Sequence, residues 1–304
     1  KSIYKEEFVT WKGNKMWVQS LKLPMKSRSG YILGIFGISR DITAKKLMAE
    51  QLERQHKQLE DELNLARTLQ QSLLTKGIPE FKDEEGKRLL AFSAKHIASS
   101  QLSGDFYSVL RTSSGNAAIF LADVMGHGAQ AAMITAMLYA AVNEIAHHAH
   151  DPSRFMVEIN NMLHSWLGSK GQFIFATGIV CYIDFEKRSY RFCQNGGSHI
   201  LLSNDRQDEI PVNPALGLLP QATFETKQFN YRDGEQLLFF TDGITEAQNA
   251  NGEAFGASRL SEILQDQASA RNACLVETIV SALQSFAGSG TAGDDICLIS
   301  TRLL

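Results

Sequence analysis

Acidic side chains that stand beside glycine, or at the end of an apolar run, are the residues of this chain best suited to chemistry. They are Asp105, Asp123, Asp242, Asp294 and Asp295. The neighbouring glycines let backbone or solvent approach these carboxylates closely. Carboxylates gathered in one cleft repel one another and raise one another's pKa values unless divalent cations neutralise them. Oxygen ligands without thiolates or clustered imidazoles favour Mg²⁺ or Mn²⁺, so the pattern predicts a site for these ions.

The chemistry that such a site supports is hydrolysis of a phosphate ester. Two divalent ions can activate a water molecule and stabilise negative charge on a phosphoryl group. Each acid taken alone has a simpler explanation, because Asp-Gly is a common turn and an aspartate often caps a strand. The joint pattern favours the metal site, since an apolar run leads into both Asp123 and Asp242 and an acidic pair opens a final strand.

Predicted strands and helices after residue 88 must position these acids. Runs typical of strands cover residues 90–94, 117–123, 173–184, 190–194, 200–203, 236–241 and 296–301. Helical patterns cover residues 128–150, 152–167, 258–267 and 274–286. Because strands and helices come in blocks, we expect an α+β domain with stacked sheets.

The N-terminal segment, residues 1–43, alternates apolar and polar residues in short runs broken by Gly13 and Gly30. This pattern predicts antiparallel hairpins. Three strands are too few to bury a core. We therefore expect this segment to be part of a domain that packs against further sequence or another chain.

Residues 44–76 predict one long helix, because they contain no proline or glycine and consist mostly of good helix formers. Asp41 or Thr43 can serve as its N-cap. Gly77, Pro79 and a charged stretch then predict a solvated connector over residues 77–88.

A heptad row runs along this helix. Its members are Leu52, Leu59, Ala66 and Leu73, with Leu63 at a partner position. The row predicts a parallel dimeric coiled coil. His56 and Gln70 interrupt the seam, so packing of the helix on its own domain is the alternative interpretation.

Composition argues against several classes of function. A net charge of -3 and a pI near 6.3 give no basic footprint for nucleic acid. The longest apolar stretch, residues 131–142, is shorter than the roughly 20 residues that span a bilayer. No basic segment followed by an apolar run opens the given sequence, so we expect no signal peptide. The four widely spaced cysteines are interpreted as buried thiols. Together these features predict a cytoplasmic protein without a membrane segment.

Four short motifs around the acids keep the residue types and order of a known family. They are Gly104-Asp105-Phe106-Tyr107, Ala122-Asp123-Val124-Met125-Gly126-His127-Gly128, Thr241-Asp242-Gly243-Ile244-Thr245-Glu246 and Gly293-Asp294-Asp295-Ile296. They resemble the metal-dependent PPM phosphatases, and the SpoIIE and RsbU type is the nearest group. A further segment, Asn195-Gly196-Gly197-Ser198-His199, stands where that group often has an Ala-Gly-His turn. The resemblance covers residues 89–304 and implies an αββα sandwich.

The resemblance also implies ligands for two Mn²⁺ or Mg²⁺ ions. Asp123 bridges both ions, and the carbonyl of Val124 helps to hold one of them. Asp242 and Asp294 complete the shell of the second ion. Asp105 binds the first ion, largely through water.

Three further residues receive roles from the same resemblance. Asp295 supports the site or a weaker third ion. His127 either donates a proton to the leaving alkoxide or shapes the glycine turn. His199 is expected to be structural. Because no match to the phosphate-binding arginine of the eukaryotic relatives is found, the metals and backbone amides are left to hold the phosphate.

The N-terminal segment resembles the C-terminal half of a PAS domain. The residues concerned include Trp11-Lys12-Gly13-Asn14, Trp17-Val18 and Arg40-Asp41-Ile42-Thr43. The helix that follows resembles the signalling helices that connect PAS domains to output domains. Together these resemblances imply a regulated protein serine/threonine phosphatase in bacterial signal transduction. The usual substrate of the group is a STAS-domain anti-sigma-factor antagonist.

Two other functions are considered. A catalytically inactive PPM-like scaffold that binds a partner is the alternative to an active phosphatase. A small-molecule phosphomonoesterase or nucleotide hydrolase has less support, because the chain contains no G-x-x-x-x-G-K-[ST] loop.

Overall fold

The computed structural model describes most of the chain. Described are residues 3–11, 13–74, 77–99, 101–126, 128–167, 174–197, 199–203, 211, 213–270, 275–288 and 293–304. The chain divides into two compact units, residues 1–64 and 65–304. Within these described ranges, no helix is both long enough and apolar enough to span a membrane.

A three-stranded antiparallel sheet forms the N-terminal part. Its strands are β1 (Ile3–Trp11), β2 (Asn14–Lys26) and β3 (Ile32–Asp41), in the order β1-β2-β3. Strand β3 leads into helix α1 (Thr43–Leu74). The Asp41 carboxylate accepts hydrogen bonds from the N–H and the hydroxyl of Thr43, at 2.8 and 2.6 Å, and so caps the first turn. The predicted hairpins and the long helix are both present.

One face of this sheet is apolar and exposed. Leu21 lies opposite Ile38, and Leu23 lies opposite Phe36. These four side chains keep between 37% and 60% of their surface exposed. The described strands therefore form no core by themselves. Their assignment to a PAS domain stays a prediction.

Two antiparallel sheets form the second unit. Its strands are β4 (Leu90–Ile97), β5 (Asp105–Arg111), β6 (Ala117–Val124), β7 (Ala176–Asp184), β8 (Ser189–Asn195), β9 (Ile200–Leu202), β10 (Lys227–Asn230), β11 (Gln236–Phe240) and β12 (Ile296–Leu303). Its helices after α1 are α2 (Ala129–Glu144), α3 (Pro152–Leu167), α4 (Asp242–Thr245), α5 (Gly256–Ala270) and α6 (Leu275–Ala287). One sheet has the order β10-β8-β7-β6-β5, and the other has the order β4-β12-β11-β9.

Alternation along the strands shows how the layers are built. In β6, Phe120 packs against α2 and α3, while Ile119 and Leu121 on either side of it face the second sheet. In β11, Phe239 completes this core between the sheets, while Phe240 packs against α5 and α6. The layers are therefore helices, sheet, sheet and helices. The αββα sandwich implied by the resemblance is confirmed.

Several elements differ from the prediction. Helix α2 ends at Glu144 rather than near residue 150, and a short 3-10 helix (Ala146–His148) follows it. Strands β5 and β10 and the short helix α4 are absent from the prediction. The connector is not solvated throughout, since Phe81 is buried between the sheets with its ring 5.6 Å from that of Phe185. The prediction was wrong here because one aromatic residue in a charged stretch gives no periodic signal.

Candidate metal centre

The inner faces of the two sheets carry polar side chains at one end of the sandwich. The alternation that places Leu121 between the sheets continues to Asp123 near the end of β6. Asp123 lies directly opposite Asp105, the first residue of β5. In the second sheet, the same alternation runs from Phe239 to Thr241, just after β11. A run of core side chains therefore ends in polar groups on both sheets.

Two loops complete the acidic cluster. Asp242 follows β11 and opens α4, while Asp294 and Asp295 precede β12. Gly243 packs so closely on the second loop that a Cβ atom there would overlap the carbonyl oxygen of Asp295. A residue without a side chain is therefore required where the loops meet. Asp123 interacts electrostatically with the other four predicted acids, so the structure brings all five together.

Burial and mutual repulsion perturb the pKa values in this cluster. Burial raises the pKa of Asp123 to about 7, and the nearby carboxylates of Asp242, Asp294 and Asp295 add to the rise. Burial also raises the pKa of Asp105 well above its usual range, and the charge of Asp123 adds to this effect. The cluster is therefore short of positive charge.

The donor set fits a hard divalent cation. The clustered donors are carboxylate oxygens, and the carbonyl oxygen of Val124 lies 2.8 Å from the position that a Cβ of Gly104 would take. Among the described residues, no group of three or more His, Cys, Asp or Glu is already converged to hold a metal. Mg²⁺ or Mn²⁺ is the group that these residues suit.

Asp295 holds a loop of the site. Its Oδ1 accepts hydrogen bonds from the N–H and the hydroxyl of Ser99, at 2.7 and 2.8 Å. Its Oδ2 accepts a hydrogen bond from the N–H of Gly104 at 2.7 Å. These bonds tie the loop before Asp105 to the loop before β12. Of the two roles that the resemblance implies for Asp295, support of the site agrees better with this geometry.

Ser103 connects the site to helix α1. The side-chain amide of Gln70 donates to the Ser103 carbonyl at 2.7 Å and accepts from its N–H at 3.2 Å. The same amide donates to the hydroxyl of Thr135 in α2 at 3.2 Å. The Ser103 hydroxyl accepts from the N–H of Asp105 at 3.0 Å. In the sequence, Gln70 stands out only as an interruption of the heptad row, and its polarity at an apolar position is the signal for this contact.

Of the two predicted histidines, the structure describes only His199. His127 lies outside the described residues. His199 is buried, and its Nδ1 lies 3.3 Å from the carbonyl oxygen of Phe240. Burial lowers the pKa of His199. A buried, neutral imidazole agrees with the structural role predicted for it.

A cleft of about 380 Å³ opens beside the acids. It is lined by Gly243, Glu246, Ala247, Gln248, Gly293 and Asp294. Asp294 is a member of the acidic cluster and also lines the cleft, so a ligand in the cleft contacts that carboxylate.

An αββα sandwich with carboxylates gathered at one end of its two sheets is the fold of the PPM, or PP2C-type, phosphatases. The family model described as Stage II sporulation protein E (SpoIIE) matches residues 113–304. The chain belongs to this family.

Comparisons with individual proteins agree with this membership. Phosphoserine phosphatase RsbP of Bacillus subtilis (strain 168) is 26% identical over 242 residues, which cover 78% of this chain and 57% of RsbP. The solved SiaA-PP2C domain of Pseudomonas aeruginosa has a TM-score of 0.68 and 21% identity, over 82% of this chain and 98% of that domain. A structure of RsbX in complex with magnesium has a TM-score of 0.53 and 18% identity, over 75% of this chain and 100% of RsbX. The chain spans about half the length of the curated relatives it matches.

Proposed function

We propose that this chain is a metal-dependent protein phosphatase that hydrolyses phosphoserine or phosphothreonine on a partner protein. The observation that carries the proposal is the pairing of Asp105 with Asp123, with Asp242 and Asp294 close to them and a cleft beside them. Membership of the SpoIIE family and similarity to a phosphoserine phosphatase support it.

Each acid has a role in this proposal. Bound Mg²⁺ or Mn²⁺ would supply an activated water molecule and positive charge opposite the phosphoryl oxygens. Asp123, which interacts with the other four acids, would help to hold both ions, and the carbonyl of Val124 would help to hold one of them. Asp242 and Asp294 would hold the second ion. Asp105 would hold the other ion. The magnesium in the RsbX structure supports this choice of metal.

We propose a STAS-domain anti-sigma-factor antagonist as the substrate, in bacterial stress-response signalling in the cytoplasm. This choice rests on the resemblance to the SpoIIE and RsbU group, and the similarity to RsbP supports it. Dephosphorylation of a phosphorylated STAS domain should be at least about tenfold faster than that of an unrelated phosphoserine protein, because only the former offers a matched docking surface. Equal rates on both proteins would contradict the proposal that a STAS-domain protein is the substrate.

Release of inorganic phosphate from a phosphoserine protein tests the activity itself. We expect release with Mn²⁺ or Mg²⁺, and none after addition of a chelator. Asp242→Asn should lower the rate by about 100-fold or more, because it removes a charged ligand. Asp233→Asn is a matched control, since Asp233 is exposed and pairs with Arg188 at the surface.

The outcomes of this assay separate the proposal from its alternative. Wild-type rates in Asp242→Asn would contradict the proposed role of that carboxylate. Metal binding without turnover on any phosphoprotein would favour the inactive scaffold instead.

We also propose that α1 transmits a signal from the N-terminal strands, assigned to a PAS domain, and that it does so as a parallel dimer. The bonds from Gln70 to Ser103 support coupling between α1 and the acids. Leu52 and Leu59 are exposed one heptad apart, as a dimer seam requires.

A further inference from the structure

Thr241 is the last residue before Asp242, and its side chain is fully buried between the sheets. Its Oγ1 lies 2.7 Å from Oδ2 of Asp105 and 2.8 Å from the backbone nitrogen of Cys297. The three groups come from β5, the end of β11 and the start of β12. Thr241 therefore links the five-stranded sheet to the four-stranded sheet at the acidic cluster.

The direction of the hydroxyl proton follows from its partners. The N–H of Cys297 can only donate, so it occupies a lone pair of the Thr241 oxygen. The carboxylate of Asp105 is the nearest acceptor for the hydroxyl proton. The other acceptor, the carbonyl oxygen of Cys297, is farther away at 3.5 Å. The hydroxyl thus donates to Oδ2 of Asp105, and the bond is charge-assisted when Asp105 is ionised.

This bond restricts the carboxylate of Asp105. A buried aspartate has two side-chain torsions to order, and a charge-assisted bond to one oxygen orients the whole group. Oδ1 takes no part in this bond, and the same carboxylate also contacts the side chain of Asp123. A second hydrogen bond, from the N–H of Asp105 to the Ser103 hydroxyl, holds the backbone of the same residue.

We propose that Thr241 is a positioning residue of the metal centre, whose hydroxyl orients Asp105 and thereby sets the affinity for divalent cation. The inference rests on the proposed function only in that Asp105 is taken to hold an ion. It does not require that the chain hydrolyse any particular substrate. A buried threonine that merely fills space would tolerate valine, which has the same shape and lacks the hydroxyl.

The test compares three variants of the full chain. Thr241→Val removes the hydroxyl and keeps the shape, while Thr241→Ser keeps the hydroxyl. Thr301→Val is the matched control, because Thr301 is also fully buried in the same sheet and its hydroxyl lies 3.4 Å from the carbonyl of Leu237, away from the acids. Mn²⁺ binding is measured by titration calorimetry, and the melting temperature is measured in EDTA. Phosphate release is recorded alongside.

We expect Thr241→Val to bind Mn²⁺ at least about tenfold more weakly than wild type, since a hydrogen bond to a charged group is lost. Thr241→Ser should stay within about threefold of wild type. Thr301→Val should keep the wild-type affinity even where its melting temperature falls. Unchanged Mn²⁺ affinity in Thr241→Val, or an equal loss in Thr301→Val, would overturn the inference.

If Thr241→Val does not fold, a second pair of variants tests the same inference. Thr241→Cys, a weaker donor of similar size, should bind Mn²⁺ about tenfold more weakly than Thr241→Ser. Equal affinities for this pair would overturn the inference. If wild type binds Mn²⁺ but releases no phosphate, the proposed function fails, while the difference in affinity between variants still decides the role of Thr241.

Discussion

Asp123 makes the stability of the metal-free protein depend on pH. Its pKa in the folded chain is about 7, raised mainly by burial, whereas an unfolded chain titrates at about 3.9. Between these pH values the folded state binds more protons than the unfolded state, so this group's contribution to the free energy of unfolding falls as pH rises. We expect Asp123→Asn to remove that contribution. Asp105, whose pKa is also raised, acts in the same direction.

Thermal unfolding in EDTA from about pH 5 to about pH 7.5 measures this effect as a difference between variants. The difference is needed because burial lowers the pKa values of His96 and His199, which makes stability rise with pH. Relative to wild type, Asp123→Asn should gain melting temperature progressively as pH rises. Asp233→Asn should follow the wild-type curve. Parallel curves for Asp123→Asn and wild type would show that the pKa of Asp123 is not raised in the folded protein.

Gly243 is a second residue whose replacement has a predictable result. A Cβ there would overlap the carbonyl oxygen of Asp295, and a backbone atom cannot move aside cheaply. Gly243→Ala should therefore lower the free energy of unfolding by about 1–3 kcal/mol and lower phosphate release more than tenfold. Gly77→Ala is the control, because a Cβ at that position meets no atom within 4 Å. Denaturant unfolding and phosphate release check both variants, and a neutral Gly243→Ala would contradict the close packing of the two loops.

The acids could be predicted from the sequence, but the groups that orient them could not. Asp123 and Asp242 are recognisable because each ends an apolar run. The partners of Asp105 and Asp295 are hydroxyls 136 and 196 residues away, in Thr241 and Ser99. Which hydroxyl meets which carboxylate depends on the pairing of strand ends. That pairing is a property of the folded sheets and leaves no local pattern.

At the scale of elements, the last turns of α1 belong to the second compact unit. The amide of Gln70 bonds both backbone groups of Ser103 and the hydroxyl of Thr135. Gln70→Leu removes these bonds at a cost of about 1 kcal/mol each. Because Ser103 holds the backbone of Asp105, we expect about tenfold more Mn²⁺ to be required for half-maximal phosphate release.

Gln58→Leu is the control for this prediction, since it makes the same substitution on the same helix. The exposed amide of Gln58 donates to Glu62, one turn away. This variant should keep the wild-type Mn²⁺ requirement. An unchanged requirement in Gln70→Leu as well would mean that α1 is only a spacer. A higher rate at saturating Mn²⁺ in Gln70→Leu would show that the Gln70 bonds restrain the catalytic unit.

Sequence patterns predicted elements that are uniformly apolar and missed those that are not. Strands β6 and β11 were predicted within a residue or so because they are buried on both faces. Strand β5 opens with Asp105 and carries Ser108 and Arg111, so its alternation is weak. The heptad row was recognised, but its meaning near Gln70 was not. There Gln70 bonds Ser103 and Thr135 of α2, which explains a polar residue at a seam position.

For the whole molecule, the remaining part of the row predicts an oligomeric state. Leu52 and Leu59 are 68% and 54% exposed, and an isolated helix does not benefit from apolar side chains in water. We expect a parallel homodimer, measured by light scattering after gel filtration. The double variant Leu52→Glu with Leu59→Glu should be monomeric at micromolar concentration, because charges at facing seam positions repel.

Leu47→Glu is the matched control for the dimer. Leu47 is 60% exposed on the same helix but lies off the heptad row, so this variant should stay dimeric. If both variants remain dimers, another surface, such as the apolar face of the N-terminal sheet, must carry the association. If the wild type is itself a monomer, the row needs a different partner, and signalling through a paired helix is contradicted. If only the seam variant dissociates and its phosphate release changes with it, the helix pair controls the acids through the same turns that carry Gln70.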